Sequence, residues 1–75
     1  MPTYRFDYKE WSAAKAAWYG PYADEFEAPD DDTARGMIAR TLDMGSIPSR
    51  AQWIESKVNP RRVEGDQEIS IIPEQ

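Results

Sequence analysis

The chain reads as a single α+β domain: a small antiparallel or mixed sheet of about three strands, with two to three helices packed on one face. Three observations carry that expectation. Tyr4, Phe6 and Tyr8 alternate with Arg5, Asp7 and Lys9, the period-two pattern of a half-buried strand. Ala34, Met37, Ile38, Thr41 and Leu42 fall on one helical stripe, and a β-branched run, EISIIP, closes the chain. Strands at both ends with helical pattern between them is the α+β arrangement.

In order, residues 3–8 form the first strand. The next stretch, EWSAAKAAWYGP, admits two readings. Alanine is the best helix former, and Trp11, Ala14 and Trp18 recur at i, i+3 and i+7, which favours a helix over 9–19 stopped by Gly20-Pro21. The competing reading is a hairpin whose arms run through Trp18 and Tyr22. Residues 22–28 form a second strand, ended by Pro29, with Tyr22, Phe26 and Ala28 on one face and Glu25 and Glu27 on the other. Asp24 shares the apolar face, which places this strand near an edge.

The amphipathic stripe predicts a helix over 31–43, with Gly45 as its C-terminal stop and Gly36 tolerated inside it. Ser49 and Gln52 have the spacing of a capping box, so a short helix covers 49–58 before Asn59-Pro60. Residues 61–66, RRVEGD, contain a turn, and Glu68 to Pro73 form the last strand. There is no repeat or low-complexity segment.

Length and composition bound the rest. A chain of 75 residues makes one domain, 1–75. At this size only about 60% of the unfolded surface is buried. With no cysteine there is no disulfide and no thiolate nucleophile or ligand. The N-terminal residues lack the apolar core of a signal peptide, and no apolar run nears the roughly 20 residues that span a bilayer. A soluble, cytoplasmic protein is expected. Fourteen acidic against nine basic residues give a net charge of −5, which argues against direct nucleic-acid binding.

The most conspicuous stretch is DEFEAPDDD, residues 24–32, with six carboxylates and no cation. Helix N-termini carry unpaired N–H groups and a partial positive charge, so Asp30 or Asp31 is expected as a cap. One cap does not need three aspartates. A metal site is not expected: adjacent aspartates diverge, no distant bidentate Glu follows, and there is no histidine. The remaining expectation is an outward-facing acidic patch of Asp24, Glu25, Glu27, Asp30, Asp31 and Asp32. Glu25 and Glu27 would stand about 6.6 Å apart along a strand. Such a row would steer and pair with a basic protein surface. A solvated face that only aids solubility is the competing account. Arg50, Lys57, Arg61 and Arg62 concentrate positive charge elsewhere.

Catalysis is not expected. Histidine and cysteine are absent, the serines have no evident activating base, and no phosphate-loop or dinucleotide glycine pattern occurs. No cofactor is implied. Nine aromatics exceed what so small an interior holds. Most are expected in the core, with Tyr19 and Trp53 as exposed interface anchors.

In its size, its acidity, its single α+β domain and its DEFEAPDDD run, the chain resembles the small phage-encoded inhibitors of bacterial defence known as anti-CRISPR proteins. That resemblance implies a protein that binds a CRISPR effector complex stoichiometrically and blocks its nucleic-acid-binding groove, in some members by imitating nucleic acid. The alternative expectation is a small assembly module that forms a homodimer or higher oligomer through an aromatic face.

Overall fold

A computed structural model describes residues 1–74. It contains β1 (Thr3–Ser12), β2 (Ala17–Glu27), α1 (Asp31–Thr41), α2 (Arg50–Ser56), β3 (Arg61–Glu64) and β4 (Gln67–Ser70). The four strands form one antiparallel sheet in the order β2-β1-β3-β4. The architecture is therefore α+β, with one strand more than the sequence pattern predicts and with two helices.

The extra strand comes from RRVEGD. Glu64 pairs with Gln67, so Gly65-Asp66 is a two-residue hairpin turn and Arg61–Glu64 becomes a strand of its own. Gly65 takes φ +58, a conformation that glycine adopts without a Cβ penalty. β4 is shorter than the β-branched run: pairing ends at Ser70, and Ile71 turns inward, buried, with its N–H donating to the Pro60 carbonyl.

The expected helix at 9–19 does not form. Residues 9–12 continue β1, residues 13–16 turn, and β2 starts at Ala17. Alanine propensity is worth only tenths of a kcal/mol per residue, roughly 0.7 at most between ordinary residues, and pairing overrides it. Here Trp11 stands opposite Trp18 and Tyr8 opposite Tyr22, aromatic cross-strand pairs of the kind that hold hairpins together.

α1 and α2 match their sequence signals closely. Asp30 is the N-cap of α1, accepting from the Thr33 N–H at 2.7 Å. Ser49 and Gln52 make both bonds of a capping box at the start of α2. The stop of α1 differs from expectation: Leu42 is the C-cap and Asp43 takes the left-handed conformation at φ +55, two residues ahead of Gly45. Asparagine and aspartate visit that region at modest cost, so glycine was not required there.

The core lies between the Tyr4–Phe6 face of the sheet and the helices. One buried cluster joins Tyr4, Ala28, Ala34 and Ile71, and a second joins Phe6, Ile38, Trp53 and Val58. Phe26 packs against both clusters. Burial of each such large side chain contributes about 1.5–3 kcal/mol. The opposite face of the sheet is covered by charges instead. Arg5 pairs with Glu25 and Glu68, and Arg61 with Asp7 and Glu68. Among the described residues, no helix is long and apolar enough to cross a membrane.

Candidate functional site: the projecting hairpin

The β1–β2 hairpin is much longer than the sheet it belongs to. β1 pairs with β3 only at Thr3, Tyr4 and Arg5, whereas it pairs with β2 from Thr3 to Ser12. The end of the hairpin therefore has no third strand beside it. This arm contributes to the elongated outline of 39 × 26 × 17 Å.

A series of aromatic pairs runs along the hairpin from interior to solvent. Tyr4 and Phe26 stack at 5.8 Å, and Phe6 meets Phe26 edge-on at 6.0 Å. Tyr8 and Tyr22 follow at 5.5 Å, and Trp11 and Trp18 close the series at 5.4 Å with a T-shaped geometry. Burial falls steadily along it. Tyr4 and Phe6 are buried, Tyr8 is half-buried, and Trp11 and Trp18 are 54% and 64% exposed. The Lys15 ammonium sits 5.6 Å from the Tyr19 ring centre, a cation–π contact that caps the distal end.

Between base and arm the register slips. β2 carries one more residue than β1 between the Tyr8–Tyr22 and Glu10–Tyr19 pairs, where a cis peptide joins Gly20 to Pro21. Gly20 has φ +131, and a Cβ there would come within 3.0 Å of the Tyr8 carbonyl and 3.1 Å of the Tyr22 nitrogen. Only glycine fits both constraints. Beside this bulge a groove of about 580 Å³ opens between the hairpin and the ends of the helices. Tyr8, Trp18, Pro21, Leu42, Met44 and Val58 form its apolar wall, with Lys9 and Lys57 also lining it.

The two anchors expected from the sequence part company here. Tyr19 lies on the arm, 38% exposed. Trp53 is fully buried at the centre of the second core cluster and offers no surface to a partner. Its place as an exposed aromatic is taken by Trp11 and Trp18, which the helical reading assigned to the core. The hairpin reading through Trp18 and Tyr22 was the signal that could have found them, since it places both tryptophans beyond the last core-facing pair.

The six carboxylates do not make one outward row. Asp31 lies against the core, accepting from the Tyr4 hydroxyl at 2.7 Å and from Arg62 at 2.7 and 2.9 Å. Asp32 pairs with Arg35 and Glu25 with Arg5. Asp30 is occupied by the cap. Asp24 stands opposite Phe6 and Glu25 opposite Arg5, so the two point to opposite faces of the sheet, and Glu27 shares the face of Glu25. Among the described residues, Asp24 and Glu27 have no ion-pair partner.

The electrostatics follow this geometry. Burial pushes the Tyr4 phenol up to about 12, helped by its hydrogen bond to the Asp31 carboxylate. Burial opposes ionisation of Asp31, yet the bonds from Tyr4 and Arg62 outweigh it and hold the carboxyl below its usual range. Asp30 is held low by the Thr33 backbone N–H and then by its hydroxyl. Tyr8 is raised by burial and by the Asp24 carboxylate. These shifts belong to the base of the hairpin and to the start of α1, where they hold structure together. Among the described residues no cluster of three or more His, Cys, Asp or Glu side chains could hold a metal ion.

No protein family, curated protein or solved structure matches the chain.

Proposed function

We propose that the chain is a non-catalytic protein-binding module that docks through the β1–β2 hairpin. The observation that carries this reading is the exposed Trp11–Trp18 pair, with Tyr19 and Tyr22 beside it, on an arm outside the core. The cross-strand contact accounts for only part of each ring, both tryptophans remain more than half in water, and such residues are favoured interface anchors. The β2 carboxylates Asp24 and Glu27 lie nearer the base of the same hairpin, one on each face, and favour a partner with basic side chains. A nucleic-acid-binding complex presents a face of such side chains. Occupying it makes the chain an inhibitor, in keeping with the resemblance to anti-CRISPR proteins, but with an aromatic arm as anchor in place of a continuous acidic row.

A second reading is self-association through the same aromatic arm, which the T-shaped Trp11–Trp18 pair also favours. Sedimentation across a concentration series at low and high salt separates the two. The inhibitor reading expects a monomer at all concentrations. It also expects lysate proteins retained on the immobilised chain to be lost from the Trp11→Ala/Trp18→Ala variant and reduced by salt. Retention unchanged in that variant overturns the docking role. A mass that rises with concentration and ignores salt selects the assembly module instead.

A further inference from the structure

The outer edge of β2 is the longest run of strand without a neighbour among the described residues. β2 lies at the end of the sheet, and of its eleven residues only Ala17 and Phe26 are half-buried. Gly20-Pro21 interrupts the arm, and Pro21 has no N–H to donate. The usable edge is therefore residues 22–27, YADEFE. Its outward backbone donors and acceptors are a template for one more strand.

The side chains select which strand. An added strand would lie about 4.8 Å away and present alternate side chains above and below the sheet. β2 offers a carboxylate to each side. Asp24 projects on the helix-bearing face, Glu25 and Glu27 project on the other, and Asp24 and Glu27 lack an ion-pair partner among the described residues. The division of the acidic run between two faces, which spoils a flat anionic surface, is what a neighbouring strand meets. A second copy of β2 is disfavoured, because pairing YADEFE with itself sets carboxylate beside carboxylate. The opposite edge of the sheet offers only four residues and carries Glu68, so it is no better.

We propose that β2 residues 22–27 accept an extended basic segment of a partner protein by strand addition, with Lys or Arg side chains three positions apart meeting Asp24 on one face and Glu27 on the other. This names the partner chemistry of the docking reading above and rests on it. Main-chain hydrogen bonds supply the affinity and the carboxylates supply the choice of partner.

The test uses the full chain and three synthetic peptides: Lys-Lys-Thr-Val-Lys-Lys-Thr, whose second and fifth residues project to opposite faces of a strand, the same sequence with its central Val replaced by Pro, and the same sequence with every Lys replaced by Glu. Binding is followed by fluorescence anisotropy, and the site by amide hydrogen exchange. The basic peptide is expected to bind and to slow exchange in residues 22–27. Proline, which breaks the ladder, is expected to weaken it about tenfold, and the Glu peptide not to bind. In the Asp24→Asn/Glu27→Gln variant, whose changed residues make no ion pair among the described residues, affinity is expected to fall about fivefold. The proposal is overturned if the basic peptide does not bind, if the proline peptide binds equally well, or if protection appears outside β2. Since the Trp11→Ala/Trp18→Ala comparison reads the arm and leaves this edge intact, the strand-addition proposal can fail while the docking reading stands.

Discussion

The two ends of the β1–β2 hairpin are made of the same materials and do opposite things. At the base, Tyr4 and Phe6 face α1 and α2 and are buried; at the far end, Trp11 and Trp18 face water. Both ends use cross-strand aromatic pairs at 5–6 Å, so local chemistry does not distinguish them. What differs is the presence of a layer above the sheet. The helices cover the base and stop short of the arm, and the bulge at Gly20-Pro21 marks the boundary. An aromatic pair under a helix is core, whereas the same pair beyond it is a surface for something else.

The sharpest way to break this contrast is to truncate one tryptophan from each region. Trp53→Ala is expected to cost about 3–5 kcal/mol, enough to unfold much of a domain this size. Trp18→Ala is expected to cost less than about 1 kcal/mol, as for exposed residues generally. Urea denaturation of both variants measures the difference. Similar losses would mean that the arm is part of the cooperative core.

Gly20→Ala probes the boundary. The added methyl meets the Tyr8 carbonyl and Tyr22 nitrogen in a conformation unfavourable to any L side chain, at a cost of about 1–3 kcal/mol. Amide exchange is expected to accelerate at residues 9–12 and 17–20 while α1 keeps its protection. Uniform acceleration over the whole chain would show that base and arm open together.

The smallest effect sharpens the base alone. The Tyr4 phenol ordinarily ionises near 10 and in the folded chain near 12. Its folded pKa is raised, so the associated stability is complete below about pH 10 and is lost as pH rises towards about 12. Tyr4→Phe is expected to flatten that part of the stability–pH curve. Asp31 has the opposite sign: its lowered pKa adds stability above the ordinary carboxylate range, which is lost as pH falls through the folded value. An alkaline limb as steep in Tyr4→Phe as in the parent chain would remove Tyr4 from the account.

Individual residues show where sequence was sufficient. Asp30, Ser49 and Gln52 act through the backbone within three residues of themselves, and their caps could be read directly. The stripe Ala34–Ile38 and the alternation Tyr4–Phe6 likewise matched the faces they bury. Asp31 could not be read so. It belongs to the same triplet as Asp30, yet its partners Tyr4 and Arg62 lie 27 and 31 residues away. Trp53 and Trp18 were misjudged for the same reason, each having a helical or strand pattern consistent with either environment.

The sequence alone therefore determined the α+β class, the start of both helices and the strand that anchors the core, because each depends on periodicity or on hydrogen bonds between near neighbours. The tertiary structure decided that residues 9–19 form a hairpin end, that the acidic run divides between two faces of an edge strand, and which tryptophan is buried. Those outcomes depend on which distant segment lies alongside: cross-strand pairing outweighs weak helical propensity, and burial is a property of the layer above a residue, which no local pattern specifies.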